Sequence, residues 1–297
     1  MNIKQLNYIY KILPLDSIVE NASLKEYSSF KIGGNAKFMF FPTSLKQSKK
    51  LLKFLNKQKL KYIILGNATN VLINGDKEIV VSFKKLNKIE RNKNKIYAES
   101  GVSLFKLNEF AKNNCLTGLE RTYGIPASVG GGIVQNCGAY THNISDCLEK
   151  VILFNGKKIK KVKKENLEFA YRTSIFKKQH SWVVLAGIFA LKYKAKNKIE
   201  ATLNDIINTR KERQPYELPS AGSVFKRVDG ILVSKLIDEL GLKGFEIGGA
   251  KVSEKHAGFI VNYNNASFED VINLINFIKN KIKIEKSIDL QLEIVLL

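Results

Sequence analysis

Cysteine, histidine and proline are scarce in this sequence, and their scarcity excludes whole classes of protein. The 297 residues include three cysteines, three histidines and five prolines. Cys115, Cys137 and Cys147 have neither the spacing of a zinc site nor the even number of a disulfide framework. We interpret them as reduced thiols of a cytoplasmic protein, and we expect no metal site.

Long apolar runs are also missing. No stretch approaches the ~20 apolar residues that a membrane-spanning helix needs. Residues 1–15 contain neither the apolar core nor the small-residue cleavage site of a secretory signal. We therefore expect a soluble cytoplasmic protein without a membrane partner. Its length and its 44% hydrophobic content suffice for a sizeable core and suggest two domains.

Acidic residues are heavily outnumbered, and the formal net charge is +22. A balance this basic first suggests nucleic acid or an anionic membrane surface. However, the excess is mostly lysine and is spread along the chain, with its densest runs at residues 157–164 and 192–198 beside turn-like sequences. We expect no nucleic-acid partner. A positive field would equally favour a small molecule that carries phosphate groups.

The first part of the chain is Gly-rich and predicts an α+β domain that ends near residue 195. A strand at residues 37–41, a helix capped by Thr43 or Ser44 and a strand at residues 62–65 form a β-α-β unit. The loop 66–70 follows that second strand, where ligands commonly bind in α/β proteins. The other predicted elements are strands at 71–73, 96–99 and 182–193, a helix marked by Leu104, Leu107 and Ala111, and a hairpin of residues 151–154 and 159–162.

Residues 196–297 predict a smaller α+β domain with three helices and a final strand. The first helix should open at Thr202, and the second should run from Ile231 to Leu240 and stop at Gly241. Ser267 should cap the third helix. Residues 290–296 alternate as in a strand, which places Glu293 on the face opposite the leucines.

The strongest local signal for chemistry is the Gly-rich segment 124–132. Glycines let the main chain reach positive φ and approach a ligand closely, so successive N–H groups can converge on phosphate oxygens. Ser128 and Asn136 would add side-chain donors. The alternative is a tight structural turn, and the pattern matches neither a Walker loop nor the dinucleotide motif G-x-G-x-x-G.

Four single residues are further candidates, and each has a structural alternative. Arg172 is either a surface residue or a guanidinium that binds a carboxylate or phosphate. Ser223 lacks a neighbouring histidine and a G-x-S-x-G setting, so it is either a turn residue or a hydroxyl proton donor. Glu293 lies in an apolar strand, where burial of a carboxylate without a partner costs free energy, so it is either exposed at an edge or directed into a site. His256 is more simply interpreted as structural.

Six segments, in this order, resemble the UDP-N-acetylenolpyruvoylglucosamine reductase family, and the resemblance covers the chain from about residue 21 to its end. The segments are 29–34, 65–72, 124–140, 171–174, 220–225 and 248–256. The resemblance implies a vanillyl-alcohol-oxidase-like (PCMH-type) FAD-binding domain at residues 1–195 and a smaller α+β substrate-binding domain at residues 196–297.

The same resemblance implies the reaction. The enzyme would hold FAD non-covalently and use NADPH to reduce the enolpyruvyl group of UDP-N-acetylglucosamine enolpyruvate to UDP-N-acetylmuramate, in peptidoglycan precursor synthesis. A monomer is expected. The short stretch between Tyr171 and the Ser223 segment is typical of the family branch that lacks an inserted tyrosine-bearing loop.

The resemblance also assigns roles to individual residues. Arg172 would bind and polarise the substrate carboxylate, Ser223 would donate the proton, and Glu293 would help to stabilise the enolic intermediate. The substrate-binding residues would be Tyr171, Arg172, Lys226, Arg227 and His256. The FAD-binding residues would be Gly66, Asn67, Thr69, Asn70, Gly124, Ile125, Pro126, Ser128, Gly130, Gly131, Asn136, Gly138 and Arg210.

Several positions depart from the family pattern. Ala68 and Ala127 replace glycines, so we expect the main chain there to stand farther from the phosphates or to adopt negative φ. Gln135 replaces an apolar residue, Arg227 and Val228 replace Asn-Pro, and Gln291 replaces the first of two glutamates, of which Glu293 is the second.

Two other functions remain open at this point. A flavoenzyme of the same fold that oxidises small alcohols would use oxygen and need no UDP-sugar. A basic nucleic-acid-binding protein would bind with a steep dependence on salt and would be colourless.

Overall fold

The computed structural model describes residues 1–139 and 142–297. Tyr140, the last residue of the Gly-rich family segment, lies outside the described residues. The chain forms two compact units, and both are discontinuous in sequence. The first comprises residues 1–22, 36–67 and 77–208, and the second comprises residues 23–35, 68–76 and 209–297.

The helices are numbered in chain order over the described residues. They are α1 (Ile3–Tyr10), α2 (Leu24–Tyr27), α3 (Leu45–Lys57), α4 (Leu104–Asn113), α5 (Val129–Gln135), α6 (Lys196–Arg213), α7 (Val233–Glu239) and α8 (Phe268–Lys286).

The strands are numbered in the same way. They are β1 (Ile18–Ser23), β2 (Asn35–Phe40), β3 (Ile63–Leu65), β4 (Val71–Leu72), β5 (Lys77–Ser82), β6 (Ile89–Asn92), β7 (Lys95–Glu99), β8 (Leu116–Thr117), β9 (Gly138–Ala139), β10 (His142–Asn143), β11 (Leu148–Phe154), β12 (Ile159–Lys163), β13 (Val183–Ala190), β14 (Lys192–Tyr193), β15 (Ser220–Ser223), β16 (Glu246–Ile247), β17 (Ala250–Val252), β18 (Phe259–Asn262) and β19 (Val295–Leu296).

A four-stranded sheet of order β1-β2-β5-β3 contains the predicted β-α-β unit. Strands β2 and β3 both run parallel to β5, which lies between them. Ser44 is the N-cap of α3, and its hydroxyl accepts a hydrogen bond from the Gln47 N–H at 3.2 Å. The capped helix and its two flanking strands are therefore confirmed, and the loop 66–70 emerges at the carboxyl end of β3.

A five-stranded antiparallel sheet of order β12-β11-β13-β7-β6 provides the second layer of the first unit. The predicted hairpin is its β11–β12 pair. Val151 and Val184 share a core with Leu104 of α4 and Ile133 of α5. Other side chains of the sheet, including Leu185, pack in the same cluster as the four-stranded sheet and α3. The Gly-rich helix α5 is thus supported by a buried apolar layer.

The second unit is built around its own apolar core. A sheet of order β15-β18-β17-β16 packs with α7 and α8, and the short strand β4 pairs in parallel with β19 at the end of the chain. Ser267 caps α8 with a reciprocal Asp270 contact, as predicted. The core residues of α8 are Val271, Leu274, Ile275, Ile278 and Ile282.

Two predicted helix starts are wrong. Helix α6 begins at Lys196 rather than Thr202, whose hydroxyl donates back to the Lys198 carbonyl inside the helix. Ile199 is buried in one cluster with Leu203 and Ile206, so the apolar spacing of the helix extends before Thr202, and the prediction overlooked it. Helix α7 begins at Val233 because Val228 and Ile231 close a tight turn through two backbone hydrogen bonds.

The two long strands of the sequence prediction are each divided. The stretch 182–193 forms β13 and β14, which belong to different sheets. At the C-terminus only Val295–Leu296 is a regular strand, and Leu292 makes an isolated bridge with Phe225. Leu290 and Ile294 are buried as the alternation predicts, but Leu296, which was expected on the same face, is 43% exposed. The chain changes its pairing partner within the alternating stretch, which periodicity alone does not reveal.

Candidate functional site

The loop after β3 and the Gly-rich segment lie close together in the first unit. The Asn67 side-chain amide donates to the Pro126 carbonyl at 2.9 Å. A Cβ on Gly66 would lie 2.6 Å from the Ser128 hydroxyl oxygen, which is closer than atoms pack. The two predicted cofactor-binding segments approach so closely here that only glycine fits at residue 66.

Ala68 does not behave as expected for an alanine at a glycine position. Its φ is 50°, which contradicts the second of the two expected outcomes, negative φ, so the greater distance from the phosphates stays a prediction for this residue. Ala127 does not adopt positive φ. The Ala68 carbonyl accepts hydrogen bonds from the N–H and the hydroxyl of Ser29. The loop keeps a glycine-like path with alanine in place, at a cost of about 1–2 kcal/mol for the left-handed conformation.

The loop 66–70 presents main-chain donors. None of the hydrogen bonds found within residues 1–139 and 142–297 uses the N–H of Asn67, Ala68 or Thr69. Successive N–H groups without a protein acceptor are the kind of site that binds phosphate oxygens. Asn70 ends the loop, and its side chain donates to the Glu293 carbonyl at 3.2 Å.

Helix α5 begins in the Gly-rich segment with its own donors satisfied. Ser128 is the N-cap, and its hydroxyl accepts from the Gly131 N–H at 3.3 Å. The Gly130 N–H donates to the Ser100 carbonyl, and a Cβ on Gly130 would lie 2.7 Å from the Ser100 Cβ. Before the helix, Gly124 has a φ of 76°, and the N–H of Ile125 donates to the Thr122 carbonyl.

The other end of α5 carries Asn136, which is 2% exposed and has a φ of 48°. Its side-chain amide donates to the Ala170 carbonyl at 2.9 Å, and its oxygen accepts from the Ser145 N–H at 3.3 Å. Both polar atoms of this side chain therefore hold the protein together. Asn136 fixes the segment that precedes Arg172 against the end of α5.

Arg172 lies in a tight turn that Ala170 and Thr173 close through two reciprocal backbone hydrogen bonds of 3.2 Å. Its own φ is 52°, a conformation that is uncommon for a long side chain. One guanidinium nitrogen donates to the Gly138 carbonyl at 2.7 Å, and the guanidinium carbon lies 5.0 Å from the centre of the Tyr171 ring. The turn and the Gly138 contact define the position of this cation, and Tyr171 is half-exposed beside it.

Ser223 and Glu293 lie on neighbouring segments of the second unit. The Glu293 N–H donates to the carbonyl of Val224, the residue after Ser223, at 2.8 Å. The bridge between Phe225 and Leu292 continues this antiparallel pairing. Both predicted catalytic residues are partly buried. A hydroxyl and a carboxylate that are 70 positions apart in sequence are thus held on adjoining backbone.

Three predicted substrate-binding residues lie on or near the same segments of the second unit. The Lys226 N–H donates to the Gln291 carbonyl at 2.9 Å, and the next residue, Arg227, is exposed. His256 follows β17, and its Nδ1 accepts from the Gly258 N–H at 3.1 Å. Burial lowers the pKa of His256, and Lys243 acts in the same direction. A neutral ring that accepts at Nδ1 carries its hydrogen on Nε2.

Arg210 is a buried cation near the end of α6, only 6% exposed. Its Nη1 lies 3.5 Å from the Gln214 side-chain oxygen, and its Nε is buried without a hydrogen-bond partner in the described part of the chain. A buried guanidinium with an unused donor calls for an anionic or polar partner.

Comparison with known proteins identifies the family. Residues 36–157 match a family model described as an FAD binding domain, and residues 214–297 match one described as the C-terminal domain of UDP-N-acetylenolpyruvoylglucosamine reductase. The UDP-N-acetylenolpyruvoylglucosamine reductase of Clostridium novyi (strain NT) is 42% identical over 95% of this chain and 93% of its own length. This chain belongs to the UDP-N-acetylenolpyruvoylglucosamine reductase family. The relative from Clostridium tetani (strain Massachusetts / E88) is 38% identical over a similar share of both chains.

Solved structures agree on the fold of this reductase family member. The crystal structure of the Thermus caldophilus UDP-N-acetylenolpyruvylglucosamine reductase matches with a TM-score of 0.78 at 29% identity, over 94% of this chain and 97% of that one. The glucose dehydrogenase Phl p 4.0202 matches 75% of this chain and 52% of its own with a TM-score of 0.54 at 14% identity, which shows a shared fold alone. The fold is the α+β, PCMH-type FAD-binding architecture followed by the reductase C-terminal domain.

The described residues fit the FAD that this reductase family implies. The N–H groups of residues 67–69 are available to a diphosphate, whereas those of Gly130 and Gly131 already donate to protein oxygens. The buried guanidinium of Arg210 adds a positive charge, and its Nε has no hydrogen-bond partner among the described residues. The donors therefore suit a phosphate-bearing cofactor, and within the described residues no group of three or more His, Cys, Asp or Glu could hold a metal ion.

Two residues that hold the Arg172 turn were given no role in the sequence analysis, although Ser174 belongs to the segment 171–174. The Lys177 ammonium donates to the Arg172 carbonyl at 2.8 Å, and the buried Ser174 hydroxyl donates to the Val134 carbonyl at 2.6 Å. A lysine and a serine in a polar loop have no periodicity and no distinctive spacing. Their proximity to Arg172 in sequence is the one signal that would have pointed to them.

Proposed function

We propose that this chain is an FAD-dependent reductase that uses NADPH to convert UDP-N-acetylglucosamine enolpyruvate to UDP-N-acetylmuramate in peptidoglycan precursor synthesis. The carrying observation is the match to reductases of that name over almost the whole chain. The backbone pairing of the Ser223 and Glu293 segments adds structural support. When bound, FAD would accept a hydride from NADPH and deliver it to C3 of the enolpyruvyl group.

The protein side chains would manage the charge and the proton. Negative charge develops on C2 and on the substrate carboxylate as the hydride arrives. The Arg172 guanidinium would bind that carboxylate, because a fixed cation stabilises the transition state more than the ground state. Its strained turn and its bond to the Gly138 carbonyl keep it in place before substrate arrives.

The Ser223 hydroxyl would donate its proton to C2. Serine is a weak acid at neutral pH, so it acts only when it is held next to a strongly basic carbon. Glu293 would assist by stabilising the enolic intermediate from the adjoining segment. Tyr171, Lys226, Arg227 and His256 would contact the UDP-sugar.

The cofactor would be held mainly by the two loops that meet in the first unit. We assign this role to Gly66, Asn67, Thr69, Asn70, Gly124, Ile125, Pro126, Ser128, Gly130, Gly131, Asn136, Gly138 and Arg210. For Asn136 the contact would use the main-chain carbonyl, since its N–H and both polar atoms of its side chain bind protein groups.

We further propose that residues 1–195 serve mainly FAD and residues 196–297 mainly substrate, with segments 23–35 and 68–76 packed in the compact unit of the C-terminal part. The enzyme is proposed to act as a monomer in the cytoplasm, where NADPH supplies reducing equivalents. No helix among residues 1–139 and 142–297 combines the length and apolar character needed to cross a membrane.

The test separates the two half-reactions in a Ser223→Ala variant. Flavin reduction by NADPH should proceed at nearly the wild-type rate, since Ser223 acts only on substrate. Turnover of the enolpyruvyl substrate should fall by about 10²–10⁴-fold, the usual contribution of a positioned proton donor. Stopped-flow absorbance of the flavin measures both rates.

Ser220→Ala is the matched control, because Ser220 lies in the same strand and its hydrogen bonds to other described residues use the main chain. That variant should keep both rates within about two-fold, as is usual for changes away from the reacting groups. Equal loss of both half-reactions in Ser223→Ala would remove Ser223 from its proposed role. A wild-type protein that holds no flavin would refute the function itself.

A further inference from the structure

The main chain of Glu293 is held from both sides. Its N–H donates to the Val224 carbonyl at 2.8 Å, which is a backbone contact that any sequence would make. Its carbonyl accepts from the Asn70 side-chain amide at 3.2 Å. Only the second contact depends on the identity of a side chain.

Asn70 contacts the C-terminal segment twice. Besides the bond from its amide, its main-chain carbonyl accepts from the Val295 N–H at 2.9 Å. These two bonds span Glu293, Ile294 and Val295, so one residue sets the register of the three. An asparagine supplies both a side-chain donor and a main-chain acceptor, and no apolar residue at this position would do so.

The register continues along β4 to the end of the chain. Val71 and Leu72 pair in parallel with Val295 and Leu296, and the Leu297 N–H donates to the Leu72 carbonyl at 2.9 Å. The Leu297 carbonyl accepts from the Asn74 N–H at 2.7 Å. Residues 70–74 therefore act as a template strand for residues 293–297, and Asn70 stands at the end nearest Glu293.

We propose that Asn70 is a positioning residue for Glu293. The loop that is proposed to receive the FAD diphosphate ends in the residue that fixes the backbone of the catalytic carboxylate. Cofactor binding and carboxylate placement are then coupled through one side chain. This inference rests on the proposed function and goes beyond it, because the role assigned to Asn70 there is cofactor contact alone.

The coupling has a physical reason. A carboxylate that stabilises developing charge must be placed within a fraction of an ångström, and a misplacement of about 1 Å costs on the order of 10²-fold in rate. The regular strand covers only Val295–Leu296 and does not include Glu293, whose carbonyl accepts from the Asn70 side chain. The Asn70 amide supplies a constraint that the short strand lacks.

The test is a double-mutant cycle between Asn70→Ala and Glu293→Gln, followed in both half-reactions. Asn70→Ala should slow reoxidation of the reduced flavin by the enolpyruvyl substrate about 10–100-fold. Flavin reduction by NADPH, measured per bound flavin, should slow less than flavin reoxidation by the substrate. The positioning of Glu293 bears only on reoxidation, whereas any loss of the Asn70 contact to the cofactor acts on both steps. In the Glu293→Gln background, Asn70→Ala should add little, since a residue that acts through Glu293 has nothing left to position.

Asn67→Ala is the matched comparison. It removes the same side chain from the same loop, but its amide binds the Pro126 carbonyl rather than Glu293. Its effect should therefore be independent of Glu293 and multiply with that of Glu293→Gln. If Asn70→Ala does not fold with flavin, Asn70→Ser replaces it, because a serine hydroxyl is too short to reach the same carbonyl.

The outcomes separate this inference from the proposed function. Suppose that wild-type protein turns over the substrate, but the rate losses caused by Asn70→Ala and Glu293→Gln multiply fully in the double variant. The positioning role is then wrong and the function stands. An equal slowing of both half-reactions by Asn70→Ala would also overturn it. If the wild type neither holds flavin nor reduces the UDP-sugar, the failure lies with the proposed function.

Discussion

Ala68 illustrates how a single residue can depart from a pattern without changing the path of the chain. It stands where the family usually has glycine, yet it keeps a φ of 50°. The side chain is buried, and its carbonyl is held by two bonds from Ser29. The tertiary contacts therefore impose the left-handed conformation, and alanine carries the strain. A rule that ties positive φ to glycine failed here because it ignores what surrounding contacts can enforce.

Replacing Ala68 with glycine should leave stability nearly unchanged. Glycine relieves about 1–2 kcal/mol of strain, but it loses a buried methyl group worth about 0.8 kcal/mol and gains flexibility in the unfolded chain. We expect the free energy of unfolding to change by less than about 1 kcal/mol and flavin to be retained. Urea unfolding and flavin absorbance of the purified variant measure both quantities.

Ala68→Val is the contrasting variant at the same position. A β-branched residue is strongly disfavoured at positive φ, so it should destabilise the protein by more than about 2 kcal/mol or release flavin. Equal stability of the Gly and Val variants would show that Ala68 is not strained.

At the scale of secondary structure, elements with local signals were predicted well. The caps of α3 and α8 were confirmed because a serine side chain and the first helical turn interact within four residues. The hairpin β11–β12 was confirmed for a similar reason, since Asn155-Gly156 sets its turn. The start of α6 was missed although Ile199 continues the local spacing of Leu203 and Ile206. The division of the stretch 290–296 was missed because its pairing partners lie elsewhere in the chain.

The capping box of α8 provides a test at this scale. The Asp270 carboxylate accepts from the N–H groups of Ser267 and Gly249 at 2.9 and 3.1 Å, and these bonds lower its pKa. Asp270→Asn should lower the free energy of unfolding by about 1 kcal/mol at pH 7. Glu269→Gln, which removes an exposed charge from the same turn, should cost less than about 0.5 kcal/mol.

The sign of the pH dependence follows from the lowered pKa. A carboxyl group whose pKa is lower in the folded state stabilises the protein above the pKa of the unfolded state, and that contribution fades as the pH falls through about 4. The difference in thermal midpoint between wild type and Asp270→Asn should therefore shrink on acidification. A difference that grows at low pH would contradict the assignment.

At the scale of the whole molecule, the two compact units are both assembled from separated segments. Residues 23–35 and 68–76 belong with residues 209–297 rather than with their sequence neighbours. The loop 66–70 thus crosses from one unit to the other along the chain, and it is also the predicted phosphate loop. A ligand that binds this loop only in the folded protein should raise the stability of the folded protein.

Removal and return of the cofactor test this expectation. Flavin-free protein should unfold at a lower temperature, and FAD at 100 times its Kd should restore about 2.7 kcal/mol. Riboflavin at the same concentration should stabilise far less, because it lacks the diphosphate that the N–H groups of residues 67–69 are proposed to bind. Thermal unfolding followed by circular dichroism measures the shift, and equal stabilisation by both ligands would argue against a phosphate loop.

The sequence by itself determined the family, the order of its motif segments and those elements whose signals are local, namely caps, a hairpin turn and the stripe of α8. It also indicated the residues that we propose for the chemistry. Tertiary structure alone decided that Asn136 and Lys177 brace the Arg172 turn, that Asn70 reaches Glu293, and that the C-terminal stretch divides between two partners. The physical reason is that a hydrogen bond between residues far apart in sequence depends on where two backbone segments meet in the fold. The local sequence around either residue does not identify its partner.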